Sequence, residues 1–200
     1  MQQAIATSNI VAQAFRYMEL SPISSLAEES EEAQAAREQY PNAIAMLLET
    51  TDWSFASVQR DLSRLANLPS GLSADPELPY LFTLPKDCLA VREVGDPRDM
   101  IRWRLEKLYL RADDEGPLRI RYTATISNEE KLPALFRNCV SLQLAALLAP
   151  RWVHSHTKTQ GIEEKLQRAI ATALHADARM ASPERYERGN SSDWVREAVQ

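Results

Sequence analysis

Apolar residues recur every three or four positions at both ends of the chain and every second position near its middle. Ile10, Val11, Ala14, Phe15 and Met18 lie on one face at helical spacing and predict a helix over 4–20, stopping before Ser21-Pro22 because the residue ahead of a proline avoids helical dihedrals. Ala33, Ala36, Tyr40, Ile44, Leu47 and Leu48 predict a second helix over 28–52, with Ser24 or Ser25 placed to cap it and an acidic run suited to its positive end. Pro41 lies inside that pattern, so a kink or restart is expected near Tyr40. Toward the other end, Leu132, Leu135, Phe136, Cys139, Val140, Leu144, Leu147 and Leu148 form a broad stripe over 131–150 that closes at Pro150. Ile162, Leu166, Ile170 and Leu174 then recur every fourth residue over 158–181, beside small alanines that allow close helix approach.

The middle has another period. From Trp53, Val58, Leu62 and Leu65 fit a helix while Ala56, Val58 and Leu62 fit a strand; extended chain is the reading taken. LPSGLSADPELP reads as a loop, followed by short strands at Tyr80 to Leu84 and Cys88 to Val94. In WRLEKLYLRADDEGPLRIRYTA, Leu118, Ile120 and Tyr122 alternate with Arg119, Arg121 and Thr123. Apolar parity switches between Trp103/Leu105 and Leu108/Leu110, which places a tight turn or bulge at Glu106-Lys107, and a second turn falls at Asp113 to Gly116. The expected fold is therefore α+β. It is mainly a helical bundle, with a small antiparallel β-meander inserted over 54–124 between the N-terminal and C-terminal helices. One domain spans 1–182, its helices cover the meander's apolar face, and an extended tail follows at 183–200.

Composition narrows the picture. A hydrophobic content of 44% over 200 residues supports a core without disulfide staples, and Cys88 and Cys139 have no metal-ligand spacing between them. No apolar run approaches the roughly 18 residues of a membrane span, and the start MQQAIATSN lacks a signal-peptide pattern. With 23 basic and 28 acidic side chains the net charge is -5, which argues against a tight grip on phosphate backbones.

Candidate chemistry is sparse. His154 and His156 form an HxH without nearby third and fourth ligands, His175 adjoins Asp177, and Cys139 lies on an apolar helix stripe without an evident base. The motifs GxGxxG, GxSxG and HExxH and the P-loop are absent, and five glycines leave little material for a phosphate-cradling loop. The chain is read as a non-enzyme with no cofactor and no metal. The rivals are a small hydrolase or metal-dependent enzyme built on His154, His156 and Cys139, and a helical scaffold module. Arg102, Arg104, Arg111, Arg119 and Arg121 offer a basic patch diluted by Glu106, Asp113, Asp114 and Glu115. In the polar last segment, Tyr186, Trp194 and Val195 stand out as interface anchors, with Arg185, Arg188 and Arg196 as rim charges.

The order SLAEESEEAQAAREQYPNAIAMLLETTDWSFA, LPYLFTLPKDCLAV, WRLEKLYLRADDEGPLRIRYTA, LPALFRNCVSLQLAALLAP and SSDWV resembles the tail tubular protein A group of phage head-tail adaptors, to which gene-transfer-agent adaptors are similar. The resemblance spans roughly residues 5 to 196 and rests most on Trp53-Ser54-Phe55-Ala56, Leu84-Pro85, Leu105-Glu106 with Ala112-Asp113, and Gly116-Pro117 with Arg121-Tyr122. The chain departs from it at Lys107, where such sequences often carry glycine. The resemblance implies a structural protein of the virion or phage-like particle, assembled in the bacterial cytoplasm. It would form a ring of about twelve subunits beneath the portal protein, extend the DNA channel without specific DNA binding, and offer a platform to a tail or stopper protein. With it, residues 183–200 read as the portal-docking arm.

Overall fold

A computed structural model describes residues 9–96, 98, 100–126 and 128–180. The chain divides into two compact units, one of Met1–Leu47, Trp53–Phe55 and Ile126–Gln200, the other of Leu48–Asp52 and Ala56–Thr125.

The first unit is helical. Helix α1, Asn9–Tyr17, buries Ile10, Val11, Ala14 and Phe15. It ends where Glu19 turns to a φ of 62° and the Leu20 N–H reaches back to the Phe15 carbonyl at 2.9 Å, a left-handed C-terminal cap just ahead of Ser21-Pro22. Helix α2, Glu31–Thr50, is capped by Ser30, whose hydroxyl accepts the Ala33 N–H at 3.2 Å; this replaces the expected Ser24 or Ser25. The helix runs through Pro41 without restarting, and its last residues, Leu48–Thr50, belong to the second unit. Helix α3, Ala134–Trp152, continues past Pro150 and is the most buried, with Phe136, Cys139, Val140, Leu144 and Leu148 inside. It packs against α1 and against α4, His156–Met180, which buries Ile162, Leu166 and Ala173. Trp53, Phe55 and Phe136 meet with ring centroids 4.9 to 5.8 Å apart, and the Trp53 indole N–H donates to the Leu47 carbonyl at 2.8 Å.

The second unit overturns the expected single meander. It holds six strands, β1 Ser57–Leu62, β2 Tyr80–Thr83, β3 Cys88–Val94, β4 Trp103–Glu106, β5 Tyr109–Ala112 and β6 Leu118–Ala124. They form two antiparallel three-stranded sheets, ordered β1-β6-β3 and β2-β5-β4. The Asp113 to Gly116 turn is therefore a crossing between sheets and not a hairpin. Both β5 and β6 are central strands hydrogen-bonded on two sides, β5 to β2 and β4 and β6 to β1 and β3, so they have no free edge to offer one another. The apolar faces of the two sheets meet each other. Leu62, Phe82, Leu110, Ala112, Leu118, Ile120 and Tyr122 from the two sheets share one core. Gly116, at a φ of 86°, makes the crossing possible, since a Cβ there would lie 2.8 Å from the Phe82 ring.

Candidate functional site

The β4–β5 hairpin carries the most unusual surface among the described residues. Its register pairs Trp103 with Ala112, Arg104 with Arg111, Leu105 with Leu110 and Glu106 with Tyr109, leaving a two-residue loop of Lys107 and Leu108. The favoured two-residue turns need a positive φ at their first loop position, which glycine takes freely, and Lys107 occupies it at 57°. Opposed residues in a sheet share a face. Leu105 and Trp103 therefore lie on the side of Leu110 and Ala112, the side of the core. Leu110 and Ala112 are fully buried, yet Leu105 is 50% exposed and Trp103 39%, and Leu108 at the tip is 75% exposed. The apolar face of this sheet runs out beyond its cover at β4.

The same strand has a free edge. The Asp113 N–H donates to the Arg102 carbonyl at 3.1 Å, which marks 102/113 as a hydrogen-bonded pair; by alternation 104/111 and 106/109 are too. The backbone N–H and C=O groups of Trp103 and Leu105 therefore point away from β5, and among the described residues no strand pairs with β4 on that side. An unpaired edge with an uncovered apolar face is a template for another chain.

The five arginines considered as a basic patch are split between the two sheets, and each has an acidic partner. Arg119 pairs with Asp61 at 2.8 Å, Arg121 with Glu93 at 2.8 Å and Asp52 at 2.7 Å, Arg102 with Asp113 at 2.9 Å, and Arg104 with Asp75 at 2.6 Å. Arg111 is buried and bonds Glu106 and the Ser73 carbonyl. The hydrogen bond from Arg102 holds the Asp113 carboxyl below its usual range, Arg119 does the same for Asp61, and the Glu77 backbone N–H lowers Asp75. Each of these cations is ion-paired within the β unit, with only the Arg111 Nη1 left buried without a hydrogen-bond partner among the described residues, and the result is a neutralised surface in place of an anion-binding patch.

The other residues marked by the sequence are scattered. His154, in the connection after α3, and His156, the first residue of α4, are both exposed, and no group of three or more possible metal ligands occurs among the described residues. Cys139 is buried in α3, where burial pushes its thiol up to about 11. Asp177 gives both carboxylate oxygens to Ser54, and His175 beside it is exposed. A cleft of about 290 Å³ in the helical unit is lined by Phe15, Leu20, Pro22, Ile23, Glu28 and Trp152 among others. Arg185, Tyr186, Arg188, Trp194, Val195 and Arg196 lie outside the described residues. Sequence reasoning missed the uncovered β4 face. Alternation placed Trp103 and Leu105 on the apolar side, but it carries no signal for whether another element reaches them.

No protein-family model and no curated protein matches this chain.

Proposed function

We propose that the chain is a head-tail connector of a phage or phage-like particle: a non-enzymatic subunit of a ring of about twelve beneath the portal, extending the DNA channel and receiving the tail. The single observation that carries this reading is the uncovered apolar edge at Trp103, Leu105 and Leu108, a surface suited to being covered by another protein chain. It falls in the stretch 103–124 that contributes to the resemblance to tail tubular protein A. Two features agree with passage of DNA without adhesion: the net charge of -5 and the pairing of Arg102, Arg104, Arg119 and Arg121 with acidic partners. In this reading residues 183–200 dock to the portal, with Tyr186, Trp194 and Val195 as anchors and Arg185, Arg188 and Arg196 as rim charges.

The test is to co-express the chain with the portal protein of the same particle and image the product by negative-stain electron microscopy. A ring seated on one face of the portal is the expected result, lost on deletion of residues 183–200. Particles that attach tails normally in the absence of this chain would overturn the reading.

A further inference from the structure

The free edge of β4 is self-complementary. Its sequence, Trp103-Arg104-Leu105-Glu106-Lys107, keeps its pattern when laid antiparallel on itself about Leu105: Leu105 faces Leu105 of a second copy, Arg104 faces Glu106 on both sides, and Trp103 faces Lys107. We propose that in the free protein a second copy of this chain covers this edge, through an antiparallel β4–β4 contact about a twofold axis at Leu105.

The backbone geometry agrees with this register. Leu105 is one of the two β4 residues whose N–H and C=O point outward, so a Leu105–Leu105 pair across the axis is a hydrogen-bonded pair with two N–H···O=C bonds. The contact would join two three-stranded sheets into one of six strands, β2-β5-β4-β4-β5-β2. Because Leu105 and Trp103 share the core side of the sheet, both copies bring their exposed apolar side chains to one face of the joined sheet. On the opposite face Arg104 lies directly across from Glu106 of the other copy twice, each keeping its own partner, Asp75 for Arg104 and Arg111 for Glu106, and opposite charges across an antiparallel pair are favourable. A register centred on Arg104 would set two arginines face to face, so charge selects the axis at Leu105. A twofold contact closes on itself and does not propagate around a ring. The pairing therefore goes beyond the connector reading: it is a property of the unassembled chain, and it competes with whatever covers β4 in a particle.

The experiment uses the full chain, with sedimentation velocity from about 1 to 300 μM and cysteine cross-linking as an independent arm. A concentration-dependent dimer is expected. Leu105→Glu, which places two carboxylates on the axis at a half-exposed position, should weaken it at least tenfold. Leu105→Cys should form a disulfide-linked dimer under mild oxidant, since hydrogen-bonded antiparallel partners have Cα atoms about 5.5 Å apart, within disulfide range. The wild-type chain and Leu135→Cys, an exposed position on α3, should not. If Leu105→Glu changes the circular dichroism spectrum, the cross-linking arm decides alone. Three results would overturn the proposal: a monomer throughout the range, association that Leu105→Glu leaves unchanged, or cross-linking of Leu135→Cys as fast as Leu105→Cys. None of them touches portal binding, which tests the connector reading separately.

Discussion

Ser54 donates its backbone N–H at 2.7 Å and its hydroxyl at 2.5 Å to the two carboxylate oxygens of Asp177, a residue 123 positions away in the same helical unit. One carboxylate thus ties α4 to the turn that carries Trp53 and Phe55. Hydrogen bonds to a charged group contribute about 1.5–3 kcal/mol when well buried, and this partly exposed pair should contribute less, about 1–2 kcal/mol. Asp177→Ala is expected to lower unfolding free energy by that amount in urea titrations, and Asp177→Asn by less because it retains an acceptor. Equal midpoints for Asp177→Ala and wild type would show that the tie carries no stability.

Arg111 gives a second expectation, with an unusual sign. Its side chain is 1% exposed, it bonds Glu106 and the Ser73 carbonyl, and its Nη1 is buried without a hydrogen-bond partner among the described residues. Removing the partner of a buried charge is costlier than removing the pair. Glu106→Ala should therefore destabilise the β unit by about 1–3 kcal/mol, the range discounted for the 30% exposure of Glu106. Arg111→Met, which removes the charge and keeps an aliphatic stem, should cost less than Glu106→Ala. Thermal unfolding of the two variants side by side checks the order; the reverse order would mean that the Ser73 contact dominates.

Cys139 bears on the rival enzymatic reading. Burial raises its thiol to about 11, so near pH 8 the native side chain remains protonated and a poor nucleophile. Cys88 is only half buried, and burial together with Asp87 also raises it. Thiol reagents at pH 8 should label Cys88 first and reach Cys139 only at the rate of unfolding. The linkage has a definite sign: the unfolded thiol ionises near 9 and the folded one near 11, so stability is lost as pH rises above about 9 and not as it falls. Immediate labelling of Cys139 in the folded protein would restore it as a candidate nucleophile.

The helical part was legible because each helix carries its own period: Phe136, Cys139, Val140, Leu144 and Leu148 are apolar at helical spacing and are the residues α3 buries. The strands were legible as strands for a similar local reason, since Leu118, Ile120 and Tyr122 alternate and are inward. Their pairing was not. β6 joins β1, whose Ser57 to Leu62 lies some sixty residues earlier, and nothing in a two-residue period names a partner at that distance. Adjacent strands with a turn between them read as a meander by default, and here the turn carries the chain from one sheet to the other. The candidate site was half visible for the same reason, because the side of Trp103 and Leu105 is a local property while their lack of cover belongs to the fold.

Two turn positions allow opposite tests of the same backbone rule. Lys107 holds a φ of 57° in the β4–β5 loop and is exposed, and Gly116 holds 86° at the crossing between sheets, against Phe82. A non-glycine residue in left-handed backbone costs about 1 kcal/mol or more, so Lys107→Gly should raise stability by about 0.5–1 kcal/mol once the extra freedom of glycine in the unfolded chain is subtracted. For a chain of this size that corresponds to a Tm increase of roughly 1–4 °C. Gly116→Ala meets both penalties, the dihedral and a Cβ 2.8 Å from the Phe82 ring, and should cost about 2–4 kcal/mol. Replacing Phe82 by Leu in the Gly116→Ala background should recover part of that loss by making room, which a purely conformational cost would not allow. Differential scanning calorimetry on the three variants decides. A stabilising Gly116→Ala, or a destabilising Lys107→Gly, would mean that these two turns do not hold the left-handed conformations described for them.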